Sequence, residues 1–402
     1  MTIMKGIGRL TLIFLLSFFM SIYSSSVYAY DSESKDILER IRKLENEIAD
    51  LKAKLSAVKE ELAESTAVSG GKPILSSNIP IEVYGFIKTD VVYSDSQVND
   101  IVSFSAASGT ESDNDEFLVS AKLTRLGLNL TGVEIGDNGI LKGKIETDFK
   151  GGGDVLRLRQ AYITLNYPKW SVLAGEAWDF FSPLNPSMLN FGILRKSGNL
   201  GTFRHGMVYL TNKFGKITTK VGMIDSGDSD QEDSGWPCLA GHIAYKSGRL
   251  YFGVGALYGQ SDVSGSDVDT WAGTVALKYK LTDRIKFVSE GYYGSNISAF
   301  MGGSPTGILN NKGVRGIGGW AQLSITPIDK LVLSVGGGAD DVKLAETSGD
   351  IWDINYSFFA NMKLKLTKNI IWGLEFQRLT TKYTHKAGGD VDRYQSSLIY
   401  KF

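Results

Sequence analysis

Only one cysteine, Cys238, stands in the 402 residues. No intrachain disulfide can form, so an exported chain of this kind must find its stability elsewhere. The cysteine does not follow the N-terminal apolar run, which excludes a lipid-modified cysteine there. Proline is scarce, at 8 residues, against 46 glycines. Together with abundant aromatics, that is the habit of a long meander of strands. There are three histidines, His205, His242 and His385, and none sits in a nucleophile motif, so no enzyme activity is expected. The formal net charge of −1 argues against nucleic acid as a partner. Beyond residues 10–22 no run is long and apolar enough for a transmembrane helix. A membrane role would therefore require a closed barrel.

What the chain does contain falls into four stretches. Residues 1–29 read as a signal peptide: Lys5 and Arg9 lead an apolar run from Leu10 to Ile22, and Val27-Tyr28-Ala29 has small residues for cleavage. The alternative, a retained anchor helix, is disfavoured because the apolar run falls short of a roughly 20-residue span. Residues 30–64 read as a coiled coil. Ile41, Ile48, Leu55 and Leu62 occupy a positions, and Ile37, Leu44, Leu51 and Val58 occupy d positions, an unbroken 3.5-residue period. Self-association through this seam is expected, and a lone helix packing on its own domain is the alternative. Residues 65–80 carry Gly and Pro without period and read as a flexible linker.

From residue 81 to residue 402 the pattern is period two, in segments of about ten residues. In residues 140–149, Leu141, Gly143, Ile145, Thr147 and Phe149 alternate with Lys142, Lys144, Glu146 and Asp148. The last strand alternates in the same way and ends in Phe402. The polar rows carry full charges in mid-strand, which suits a water-filled lumen inside an apolar, lipid-facing surface. About sixteen strands are expected: 81–93, 118–130, 138–149, 155–166, 170–178, 202–213, 216–226, 238–247, 250–261, 268–281, 284–296, 314–326, 330–342, 350–366, 369–383 and 390–402. The fold class is thus all-β, a transmembrane antiparallel barrel preceded by a short coiled-coil helix. Short turns alternate with longer polar connections, the asymmetry of outer-membrane barrels. An even count puts both barrel ends, and the coiled coil, on the periplasmic side. Tyr93, Tyr167, Trp170, Tyr258, Tyr279, Tyr383 and Tyr400 lie toward strand ends and are expected in interfacial girdles that face lipid and lipopolysaccharide.

The inward rows and one long connection are the candidate pore chemistry. Residues 179–201 hold Phe180-Phe181 and Leu194-Arg195-Lys196, an apolar content unsuited to a loop in water. This loop is expected to fold into the lumen as a constriction; lying over the mouth or docking on a neighbouring subunit is the alternative. Lys88, Arg125, Lys142, Lys144, Arg157 and Arg159, with Arg195, Lys196 and Arg204, are the expected basic lining. Asp90, Glu146, Asp148 and Glu176 are their acidic companions. Rings of charge in a narrow pore select by sign, and this balance predicts a weak preference for anions. The competing reading is that the charges pair off, Lys144 with Asp148 for example. Acidic tips (Glu111, Asp113, Asp115, Glu116, then Asp225, Asp228, Asp230, Glu232, Asp233) read as solvated loops. Neither run has the order of a calcium loop, and no cofactor or metal is expected.

Several short motifs resemble one family. Tyr84-Gly85-Phe86-Ile87-Lys88-Thr89-Asp90, Thr124-Arg125-Leu126-Gly127-Leu128, Leu158-Arg159-Gln160-Ala161-Tyr162 and Leu173-Ala174-Gly175-Glu176-Ala177-Trp178 resemble the DcaP-like trimeric porins, as does a coiled coil ahead of the barrel. The resemblance implies a sixteen-stranded homotrimer in the outer membrane, passing small anionic solutes such as dicarboxylates. At Gly175 the family pattern continues Gln-Thr-Trp, whereas this chain has Glu176-Ala177-Trp178, an added carboxylate. An envelope-tethering barrel with little transport role is the alternative function.

Overall fold

The computed structural model describes Lys43, Asn46, Glu47, Ala49, Asp50, Lys52 and Lys54 in the N-terminal part. It then describes residues 79–402 except 97–106, 108–114, 153–154, 226–231, 234–235, 264–265, 304–306 and 344–350. The chain divides into two units, Met1–Ser76 and Ser77–Phe402. In the first unit the described residues are helical, and Lys54 pairs with Asp50 one turn back at 2.7 Å. The heptad seam and the signal segment lie outside the described residues.

The second unit is a closed antiparallel barrel of 16 strands. They are β1 (Ile81–Ser94), β2 (in two pieces, Glu116–Ser120 and Arg125–Ile135), β3 (Gly139–Asp148), β4 (Arg157–Asn166), β5 (Trp170–Trp178) and β6 (Arg204–Phe214). The middle of the barrel is β7 (Ile217–Ile224), β8 (Cys238–Ser247), β9 (Leu250–Val263), β10 (Ser266–Lys280) and β11 (Ile285–Ser295). It is completed by β12 (Arg315–Ile328), β13 (Leu331–Lys343), β14 (Trp352–Lys365), β15 (Ile370–Tyr383) and β16 (Gly389–Lys401). Each strand pairs with its sequence neighbour, and β16 closes on β1 with Phe86 opposite Lys401 and Ser94 opposite Arg393. Gly85 and Phe402 exchange both backbone hydrogen bonds at 3.2 Å, so the terminal aromatic seals the seam.

Among the described residues, closure leaves the barrel without a first or last edge strand, which is what lipid demands of a strand-built span. The outward rows confirm that demand. Ile87, Val91, Leu126, Ile145, Ile163, Val221, Ile243, Val254, Val335, Phe358 and Leu398 are all exposed on the barrel's outside. In water so broad an apolar surface would drive aggregation, whereas against lipid it is the stable arrangement. Tyr93, Tyr258, Tyr279 and Tyr400 are exposed near strand ends as expected, and Tyr167 stacks on Trp170 at 4.4 Å beside a tight turn. Tyr383 is a correction. It shares the inward row of Leu379 and Thr381, and its hydroxyl donates to the Ala107 carbonyl at 2.6 Å. A polar acceptor inside the mouth outweighs the interface for that ring.

Candidate functional site: the inner loop and the basic wall

The connection of residues 179–203, here called the inner loop, runs inside the barrel along β9 to β15. Its apolar side chains Phe180, Phe181, Leu184, Leu194 and Leu200 are buried. Phe181 meets Phe300 edge-on at 5.3 Å. At the loop's root, His205 hydrogen-bonds Asp179 at 2.7 Å. Burial raises the Asp179 carboxyl above the ordinary range, and the His205 ring opposes that rise.

The loop is held by its backbone more than by its side chains. Glu375 of β15 accepts from the amides of Leu189 at 2.7 Å and Asn190 at 3.1 Å, and from Asn361 at 2.9 Å and Gln377 at 2.6 Å. Glu290 of β11 accepts from the Leu184 amide at 3.2 Å and from the Ser182 hydroxyl. Gln322 accepts from the Ser187 amide at 2.6 Å, Asn355 donates to the Lys196 carbonyl at 2.6 Å, and Thr274 donates to the Phe181 carbonyl at 2.7 Å. Irregular backbone inside a barrel needs such partners, since unpaired buried amides and carbonyls are costly. The wall also makes room. A Cβ at Gly255 would fall on the Phe181 carbonyl oxygen, and one at Gly338 on that of Ser197. Gly198, at φ +107, takes a backbone shape that side chains disfavour, directly against Gly319.

With the loop pressed to that side, a cavity of about 310 Å³ remains between it and the wall of β1 to β6 and β14 to β16. Nine basic residues line it. Lys88, Arg125, Lys150, Arg157 and Arg159 come from the early strands and their connections; Arg195 comes from the loop and Arg204 from β6. Lys363 and Lys401 face them from β14 and β16. Among the described residues no carboxylate lines this cavity. The carboxylates stand behind the cations. Asp148 receives Arg157 at 3.0 and 2.7 Å and Arg159 at 2.6 Å. Glu146 receives Arg159 at 3.0 Å, Gln160 at 3.1 Å and Tyr84 at 3.0 Å, with Arg125 at 3.5 Å. Lys88 bonds Asp90 at 2.5 and 2.7 Å. A bulge in β4, where the register to β3 slips, turns both Arg159 and Gln160 inward.

The remaining candidates separate. Lys144 lies 4.9 Å over the Tyr84 ring, while Asp148 is occupied by arginines, so the Lys144–Asp148 pair offered as an example of the competing reading does not form, although Lys88, Arg157 and Arg159 do pair with Asp90, Asp148 and Glu146. Lys142 is on the same inward row, exposed toward the tight-turn end and outside the cavity. Lys196 points away from the cavity and donates to the Ser298 carbonyl at 3.4 Å. Glu176 is the clear correction. It stands opposite Ala161, which stands opposite the outward Ile145, and opposite Gly206 on its other side. Directly paired residues share a face, so Glu176 belongs to the outward row. The register to both neighbouring strands is continuous through Gly175, and Leu173 and Ala177 on either side are buried on the inner face, so the alternation itself places Glu176 outside. Of the acidic loop tips, Glu111, Asp113, Asp228 and Asp230 lie outside the described residues, and Asp115 accepts from Tyr93 at 2.8 Å. Glu290 and Glu375 were missed by sequence reading; each is a lone carboxylate in an inward row, with nothing local to show that a loop covers it.

A closed sixteen-stranded barrel with a loop folded into its lumen is the fold of outer-membrane porins. The chain is similar to the outer membrane channel DcaP of Acinetobacter baumannii, with a TM-score of 0.70 at 21% identity, over 82% of this chain and 99% of that one. It is also similar to an anion-selective porin from Comamonas acidovorans, with a TM-score of 0.61 at 14% identity, over 80% and 99%. An outer membrane protein OmpT of Vibrio cholerae, solved in a trimer form, aligns with a TM-score of 0.57 at 12% identity, over 80% and 99%. No protein-family model matches the chain, and neither does any curated protein sequence.

Proposed function

We propose that this chain is an outer-membrane porin of the DcaP-like kind, a passive channel for small hydrophilic solutes that favours small organic anions such as dicarboxylates. One observation carries the reading: the cavity beside the inner loop is lined by nine cations and no described carboxylate. A field of one sign in a narrow aqueous passage raises the local concentration of counter-ions and selects by charge. The Comamonas protein of similar fold is described as anion-selective, which agrees.

The same reading makes the protein a homotrimer in the outer membrane, in contact with lipid and lipopolysaccharide, with its coiled coil in the periplasm. The trimer form of the Vibrio protein and the heptad of residues 37–62 support it.

The test is the reversal potential of purified protein in a planar bilayer under a salt gradient. An anion-side reversal is expected, moving toward zero in Arg157→Ala/Arg159→Ala. A cation-side reversal in the wild type, or no conductance, would overturn the proposal.

A further inference from the structure

A second cavity, of about 710 Å³, shares no lining residue with the basic passage. It lies where β10 to β12 meet the long connections, the end that the porin reading places outside the cell. Pairing of β10 with β11 stops at Trp271 opposite Ser295, so residues 267–270 run on without that neighbour. A small hairpin comes up to them, with Ile308 opposite Gly313 and Leu309 opposite Lys312. Asn310 and Asn311 form its turn at φ +50 and +57, the left-handed pair that a two-residue hairpin turn needs. A Cβ at Gly313 would lie 3.4 Å from the Asp269 carbonyl oxygen. The cavity is framed by Asp267, Asp269 and Trp271 of β10 and by Asn310, Lys312 and Arg315.

The register puts this cavity on the membrane side of the wall. Trp271 is opposite Tyr258, and Arg315 is two positions from Ile317, which is opposite Tyr293. Tyr258, Tyr293 and Ile317 are exposed on the barrel's outside, and directly paired residues share a face. Ser295 belongs to the same outward row yet is 6% exposed, because the hairpin covers it: a Cβ at Gly313 would fall 2.6 Å from its hydroxyl. The cavity thus sits at headgroup level, directly above the exposed apolar row of Val275, Tyr293 and Ile317.

Its chemistry is mixed. Trp271 meets Tyr293 edge-on at 5.2 Å, an amphipathic pair of the kind that lies at the membrane interface. Lys312 and Arg315 are exposed, and no ion pair reaches them among the described residues. Asp269 accepts from Tyr258 at 3.0 Å and Gln260 at 3.2 Å, both on one oxygen, which leaves the second as an acceptor. A bare anion would meet the aspartates as well as the cations, and an apolar ligand would leave both sets unpaired. A phosphorylated sugar suits both: phosphate oxygens match Lys312 and Arg315, and hydroxyls can donate to Asp267 and Asp269.

We propose that this rim cavity binds the phosphorylated sugar headgroup of an outer-leaflet glycolipid, whose acyl chains lie along Val275, Tyr293 and Ile317. This rests on the outer-membrane reading above and deepens it, from general contact with the lipid to one built site.

The experiment uses the full chain in a neutral polyoxyethylene detergent, with bound lipid counted by native mass spectrometry. The probes are diphosphoryl lipid A and phosphatidylglycerol, which carries a phosphate without a sugar. Saturable binding of lipid A is expected, about tenfold or more tighter than phosphatidylglycerol. Lys312→Ala/Arg315→Ala should weaken lipid A binding about tenfold or more, since each basic group near an anionic headgroup contributes. The reversal potential should stay at the wild-type value, because both residues lie outside the lumen, and this also shows that the variant barrel is intact. Equal binding of phosphatidylglycerol would overturn the sugar assignment, and undiminished lipid A binding in the double variant would overturn the site. The placement is checked separately with a membrane-impermeant maleimide on intact cells. Lys386→Cys, in a connection at the same end as the cavity, should label, and Asp283→Cys, in a tight turn, should not. Any other labelling pattern would sink the orientation itself, so the two failures are distinguishable.

Discussion

On each side of the lumen a pair of buried carboxylates stands out, and the two pairs are used differently. On β3, Glu146 and Asp148 accept from arginine side chains. On β11 and β15, Glu290 and Glu375 accept from backbone amides and short polar side chains of or beside the inner loop. The first pair orients cations and tempers their field. The second pair fixes a segment of irregular chain against the wall. A buried carboxylate has four acceptor sites to fill, and whatever donors the fold brings near decide its role. One wall therefore sets the charge of the passage and the other sets its width.

The largest effect should come from breaking the width-setting wall. Glu375→Ala removes an acceptor shared by four donors, and hydrogen bonds to charged groups contribute about 1.5–3 kcal/mol each. The inner loop should detach, giving a larger and noisier single-channel conductance and protease cleavage within residues 185–200. Unchanged conductance and an intact loop would show that the apolar contacts of Phe180 and Phe181 suffice. Gly338→Val attacks the same wall sterically, since its side chain would collide with the Ser197 carbonyl. Overpacking of this kind costs roughly 1–3 kcal/mol. A lowered melting temperature with a shifted conductance is expected, and a variant with wild-type values for both would refute the close approach.

Perturbing the charge-setting wall should change selectivity and leave width alone. Asp148→Asn removes a negative charge and leaves Arg157 and Arg159 less compensated. The reversal potential should move further to the anionic side. The shift should be greater at 0.1 M than at 1 M salt, because screening shortens from about 10 Å to about 3 Å. A cationic shift would reverse the assignment of that wall. Smallest of all, Glu176→Gln should leave the reversal potential within experimental error, because its register places it outside the lumen. A clear anionic shift would return Glu176 to the pore.

Strand positions were legible in the sequence to within a few residues, because alternation is a local property and every strand repeats it. The inner loop was legible as well: Phe180, Phe181 and Leu194 are too apolar for a loop in water, and all three are buried. Its partners were not. Glu290 lies 106 residues beyond Leu184 and Glu375 lies 186 beyond Leu189, the amides they hold, and a single carboxylate in an inward row has no local mark. Lys363 and Lys401 sat plainly in polar rows, yet only the pairing of β16 with β1 brings them across from Lys88 and Arg125. Glu176 was misplaced because the wrong face of its strand was read as inward: Leu173 and Ala177 take the inner face, and the alternation continues unbroken through Gly175 to put Glu176 outside.

By itself, the sequence determined the architecture: an apolar face every second residue and turns at short intervals allow a closed barrel in lipid and little else. Only the tertiary structure decided the site. Which carboxylates face cations and which hold the loop both depend on contacts between residues far apart in the chain. Those contacts arise from barrel closure and from the path of one loop across the lumen, and no local pattern encodes either.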